Sequence, residues 1–157
     1  MPRMPRHSRI SARAAAFHEA AYAVARLHVG APATAVQIIP RGVIHGSRRW
    51  PGRGQHCMWN CLLVLFSGSY AQAYATRRSL GRTFLHSGKL DLVEAAPAIT
   101  WLVRHRYVRS RMEALERVHF ETVVFLVLRW DAIERVAAGL LKDGRLTARQ
   151  VRALARI

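Results

Sequence analysis

The segment from Ser11 to His28 restricts the fold more than any other stretch of this chain. It is alanine-rich, and Ala14, Ala21, Val24 and Ala25 supply small apolar positions at helical spacing. Ser11 suits an N-cap, while Gly30 and Pro32 close the segment, so the pattern predicts one helix over 11–28. His18, Tyr22 and Ala25 or Arg26 share a face of that helix, and Glu19 stands beside His18. A helix this rich in small residues must pack closely against others, which favours a helical core.

The rest of the chain supplies the partners. In Ala35 to Gly42, Val36 and Ile38 alternate with polar or outward positions and Pro40 stops the run, which reads as a short strand at a sheet edge, and Val43-Ile44 can start a second strand. Residues 45–55 are a loop rich in Gly and Arg. A helical pattern returns from Gln55 to about Ser79, with a kink or a close helix contact expected at Ser67-Gly68-Ser69. Residues 80–89 read as a loop. A third helix is expected from Leu90 to about Tyr107, with Pro97 kinking it or marking its first turn. A long helix follows over 111–142, with Leu115, Val118, Val123, Leu126, Val127, Trp130, Ile133, Val136, Ala137 and Leu140 inward. Asp143-Gly144 ends it, and the capping box Thr147-Ala148-Arg149-Gln150 opens a short closing helix. The fold class that results is α+β and mostly helical, with a small sheet of two or three strands. It forms one domain over 11–157 behind a flexible basic arm at 1–10.

At 157 residues and 51% hydrophobic, the chain can bury a core. Its longest apolar run outside the N-terminal region, Val123 to Leu128, is far short of the roughly 20 residues a spanning helix needs. The first ten residues lack the apolar centre of a secretory signal, although an organelle transit peptide shares their absence of acids. Cys57 and Cys61 with His56 fall short of the four ligands of structural zinc, so reduced, buried thiols in a cytoplasmic protein are expected. Net charge is +16, almost all of it arginine, and no Asp or Glu occurs between Glu19 and Asp91. Such a field favours an acidic protein, nucleic acid or anionic lipid as neighbour. The four tryptophans, Trp50, Trp59, Trp101 and Trp130, are read as packing residues. Trp50, between Arg49 and Pro51, is also placed to stack on a partner.

His18-Glu19-Ala20-Ala21-Tyr22 is the zinc-binding helix signature H-E-x-x-H with its second histidine replaced by tyrosine. In the intact signature both histidines bind zinc from one helical face, and the glutamate acts on metal-bound water. Taken with Val36-Gln37-Ile38-Ile39-Pro40-Arg41-Gly42, it resembles the peptidase domain of the FtsH family of ATP-dependent zinc metalloproteases. That family pairs a "HEAGHA" helix with a "VTIIPRG" edge strand. Leu65 to Ala73 resembles its "LAGRAAEE" helix, and Ser87 to Ala96 its segment bearing the aspartate ligand. The likeness spans about residues 12–155, and the helix-plus-IIPRG pairing is its specific part.

The resemblance implies a metallopeptidase-like helical domain with zinc as cofactor. It implies His18 and Asp91 as ligands, Glu19 as general base, and Ile38, Ile39 and Arg41 as the edge that binds a peptide. Tyr22 stands where the second histidine belongs, and Gln72 where the family commonly has an acid. A phenol must lose a proton of pKa about 10 before it binds zinc well, so the site should hold metal weakly. His45 or His86 could fold over it as a borrowed ligand. No Walker A motif occurs, so the ATPase module of the family is absent from this chain. The leading expectation is therefore a peptidase-fold protein with proteolysis lost or weakened, acting by binding protein or peptide. An active zinc-dependent endopeptidase using His18, Asp91 and Tyr22 or a borrowed histidine is the second reading. A basic nucleic-acid-binding protein is the third, without any helix-turn-helix, zinc-finger or stacking motif legible in the sequence.

Overall fold

The computed structural model describes residues 11–39, 42–44, 54–86 and 88–157. The arm at 1–10, Arg41, His45 and Trp50 lie outside the described residues, as do the side chains of Ile39 and His86. The fold is mostly helical α+β. In chain order it runs α1 (Ala12–His28), β1 (Val36–Ile39), β2 (Gly42–Ile44), α2 (Gln55–Thr76), α3 (Leu80–His86), α4 (Lys89–Arg104), α5 (Arg111–Asp143), β3 (Arg145–Leu146) and α6 (Ala148–Ala155).

Local chemistry fixes several of the helix ends. The Ser11 hydroxyl accepts from the Ala14 backbone N–H, and Ser110 does the same for Glu113. Thr147 and Gln150 complete the reciprocal capping box at the start of α6. Gly144, at φ +69°, turns the chain out of α5 in the left-handed conformation that glycine adopts without strain.

α1 is the axis of the molecule. Every residue from Ala14 to Arg26 is buried, because α2, α5, the sheet and α6 surround it. Alanine makes this possible, since backbones can approach without large side chains between them. The core that fills the remaining space centres on Leu62, Val64, Leu102, Val118, Phe125, Ile133, Val136, Leu140, Leu146 and Val151. Each large aliphatic side chain sealed there contributes roughly 2 kcal/mol of hydrophobic stabilisation.

Four expectations need correction. β1 is not an edge: the sheet order is β2-β1-β3, antiparallel throughout, with Ile38 opposite Val43 and Val36 opposite Leu146. Its far side is taken by β3, a strand of two residues that no sequence pattern of that length can announce. The segment expected as a loop at 80–89 contains α3, a helix of two turns held onto α2 and α4. α4 ends at Arg104 rather than near Tyr107, and Pro97 lies well inside it. The hydrogen bond proline forfeits would have gone to the Val93 carbonyl, and both residues are on the exposed side, where water can serve. On α5, Val123 and Val127 face outward and Phe125 inward.

No helix among the described residues is long and apolar enough to cross a membrane.

Candidate functional site

The polar residues singled out on α1 meet a second set carried by α2 and α4. His18 and Glu19 project from the middle of α1, Ser69 from the middle of α2, and Asp91 from the first turn of α4. All are buried, Glu19 to 1% exposure and Asp91 to 3%. The His18 imidazole Nε2 stands 3.8 Å from Asp91 Oδ2 and 3.9 Å from Glu19 Oε1. Ser69 Oγ donates to the same Asp91 oxygen at 2.8 Å.

Glycine decides this convergence. A Cβ on Gly68 would sit 2.8–2.9 Å from three atoms of the His18 ring, so the imidazole lies directly against the α2 backbone. The Ser67-Gly68-Ser69 interruption is thus a close helix contact, and α2 runs through it unbroken. Gly88, just before α4, clears space in the same way for the Ser69 hydroxyl and the Phe84 ring. Ser67 spends its hydroxyl on the Val64 carbonyl at 2.8 Å, one turn back within the helix. Asp91 therefore fills two positions at once. It is an acid in the first turn of a helix, where the dipole favours it, and it is aimed inward at an imidazole 73 positions earlier in the chain.

The separations are informative. At 3.8 and 3.9 Å the His18 contacts exceed hydrogen-bond length but remain within strong electrostatic range. Two ligands of one tetrahedral zinc stand roughly 3.3–3.6 Å apart, so the His18–Asp91 pair is close to a bridging geometry. Among the described residues no three His, Cys, Asp or Glu side chains are arranged to hold a metal ion. Tyr22, one turn beyond His18 and buried, is the remaining oxygen of the sequence-derived set. A catalytic zinc takes three protein ligands and keeps one open position. His18 and Asp91 alone do not fit that requirement, and His45 and the His86 side chain, the two candidate replacements, lie outside the described residues.

Of the other sequence-predicted residues, Ile38 is half-buried in β1, and its backbone N–H donates to the Gly144 carbonyl at 2.8 Å. With β2 on its other side, β1 has no free edge at this position for a peptide to extend. Gln72 is buried one turn after Ser69 on α2. Cys57 and Cys61 are free and half-buried rather than fully buried. Burial, helped by the nearby Glu94 carboxylate, pushes the Cys61 thiol up to about 11, which leaves it a poor nucleophile and a poor metal ligand. Of the tryptophans, Trp59 is buried with the Arg117 guanidinium 4.2 Å above its ring, while Trp101 and Trp130 are half-buried.

Sequence reasoning passed over Ser69 as a functional residue. The available signal was a serine next to a glycine in the middle of a strongly apolar helix, a combination that costs helix propensity and calls for a packing reason.

A second feature lies on the opposite side of α2. Tyr70, Ala73, Tyr74, Arg78 and Leu80 face Val123, Leu126, Val127 and Trp130 of α5 across an apolar groove of about 480 Å³. Tyr74 meets Trp130 edge-on at 4.7 Å between centroids, and Tyr70 shares a 2.6 Å hydrogen bond with His119 Nδ1. Burial raises the Tyr70 phenol above its ordinary value, so it keeps its proton in that bond.

Comparison with known proteins supplies no relative, since neither a family model nor a curated protein matches this chain.

Proposed function

We propose that this chain is a metallopeptidase-like helical domain whose catalytic centre has been altered into a buried polar joint. Its proteolysis is lost or weakened, and it acts by binding protein. The observation that carries the reading is the 3.8 Å approach of His18 to Asp91 across Gly68. The FtsH-like sequence pattern pairs these same two residues as ligands. Tyr22 in place of the second histidine leaves the donor set short, and the 1% exposure of Glu19 leaves a would-be general base without access to substrate in this conformation.

The groove between α2 and α5 supports the binding half of the reading. Exposed apolar surface of this kind marks interaction sites on soluble proteins. Tyr74 and Val127 are 70% and 76% exposed at its rim. With Arg78 in its lining and a chain charge of +16, it favours a partner segment that is apolar on one face and acidic on the other.

Calorimetric titration with zinc, alongside a peptide-hydrolysis assay, tests the reading. The wild-type chain should show weak zinc uptake and no hydrolysis, and Tyr22→His should raise zinc affinity at least about tenfold by restoring a neutral nitrogen donor. Tight stoichiometric zinc in the wild type, with hydrolysis abolished by Glu19→Gln, would replace this reading with that of an active peptidase.

A further inference from the structure

The corner between α4 and α5 carries an arrangement that neither the polar joint nor the groove uses. α4 ends at Arg104, His105 caps it, and Arg106 takes the left-handed conformation at φ +60°. The reversal is closed by the Arg106 N–H on the Val103 carbonyl and the Tyr107 N–H on the Leu102 carbonyl, both at 3.0 Å. It folds Tyr107 back over Trp101, with ring centroids 5.5 Å apart and planes 13° from parallel. His105 stacks on Trp101 as well, at 4.0 Å and 20°. Three nearly parallel rings result.

One hydrogen bond and one buried anchor fix the platform. His105 Nδ1 donates to the Trp101 carbonyl at 2.9 Å, which holds the imidazole flat on the indole. Val108, next to Tyr107, is buried in the core and anchors the turn. The rings are nonetheless open to solvent: Tyr107 is 45% exposed, and His105 is exposed too.

Arginine surrounds the stack. Arg104, Arg106, Arg109 and Arg111 all lie on the surface within eight residues that contain no acid. Glu113 answers Arg109, accepting from its backbone N–H at 2.8 Å and from its Nε at 3.2 Å. Arg104, Arg106 and Arg111 have no ion pair among the described residues. A helix C-terminus favours a nearby cation, which accounts for Arg104. It does not account for Arg111 in the first turn of α5, where the dipole disfavours a cation.

We infer that this corner binds single-stranded nucleic acid, with bases stacking on the exposed faces of Tyr107 and His105 and phosphates met by Arg104, Arg106 and Arg111. Flat aromatic faces set among cations are the chemistry that holds unpaired bases without reading their sequence. Duplexes hide their base faces, so they meet the arginines alone. The site lies about 20 Å along α4 from Asp91 and is independent of the proposed protein-binding role.

Fluorescence anisotropy with a labelled oligothymidine of about twelve nucleotides, at roughly 0.1 M salt, tests the inference on the full chain. A matched duplex and heparin serve as charge-only comparisons. The single strand should bind more tightly than the duplex. Arg104→Gln with Arg106→Gln should weaken single-strand binding at least about tenfold, while Arg149→Gln with Arg152→Gln, which removes the same charge from α6, changes it less than about twofold. Tyr107→Ala should cost about tenfold on the single strand, the loss of one stacked base, and leave heparin binding unchanged. Equal losses from the two arginine pairs, or no single-strand binding at all, would overturn the inference, and the arginine comparison stands even where Tyr107→Ala fails to fold. An equal effect of Tyr107→Ala on oligothymidine and heparin would overturn it too.

Discussion

α1 and α5 are built on opposite terms. α1 is made of small residues, is buried on every face from Ala14 to Arg26, and holds His18 and Glu19 in the interior. α5 carries large aliphatic and aromatic residues, yet leaves Phe120, Val123, Val124, Val127 and Leu128 in contact with water. Polar groups inside and apolar groups outside are each costly, and each must be answered by something. On α1 the answer is internal: Asp91 arrives from α4 to face the imidazole, and Ser69 of α2 donates to that carboxylate. On α5 these side chains stay exposed to solvent, and it is this face that the proposed binding role would use. A helix's burial follows from how many neighbours its side chains admit, not from how hydrophobic it is.

The contrast breaks most visibly at Gly68. Gly68→Val forces a branched side chain into the space of the His18 ring and should destabilise the protein by about 3 kcal/mol, read as a lower urea midpoint. An unchanged midpoint would mean that α1 and α2 are not as close as described. Next in size is Asp91→Ala, which leaves the buried Ser69 hydroxyl without its acceptor and His18 without its nearest carboxylate. A loss of about 2 kcal/mol is expected, and Asp91→Asn, which keeps an acceptor oxygen, should lose less. A fully tolerated Asp91→Ala would show the polar joint to be ornamental. The smallest effect belongs to α5. Val123→Ser with Val127→Ser should shift stability by less than about 1 kcal/mol, since both side chains already meet water. The same pair should weaken association with any partner that fills the groove, measured by pull-down or light scattering. A large loss of stability there would make the α5 face part of the core and remove the contrast.

Much of the helical layout was legible, because helix ends are written in local chemistry. Ser11 as N-cap, the Thr147–Gln150 capping box and the Gly144 stop each act over three or four residues, and each stands where the pattern put it. The strand at Val36–Ile39 was equally plain, but its neighbours were not. Its central place depends on β3, contributed by residues more than a hundred positions later. The outward turn of Val123 and Val127 is not legible, because a continuous apolar run satisfies two helical faces equally well and the packing of α5 against α1 and α2 chooses between them. At the candidate site, the sequence nominates His18, Glu19, Tyr22 and Asp91; for Ser69 it offers only a serine beside a glycine in an apolar helix, which does not identify Asp91 as its acceptor. The ring stack at the α4–α5 corner was invisible for a related reason: Trp101 and Tyr107 come together only because Arg106 reverses the chain between them.

The amino-acid order alone determined the helical class of this protein, the ends of several helices and the residue types available for chemistry. Those follow from hydrogen bonds and periodicities confined to a few neighbouring residues. Tertiary structure alone decided that an imidazole on α1 faces a carboxylate on α4, that β1 is flanked on both sides, and that the apolar face of α5 is left open. Each of these pairs groups far apart in the chain, and which groups meet depends on how closely whole helices pack, here on the missing side chain of Gly68.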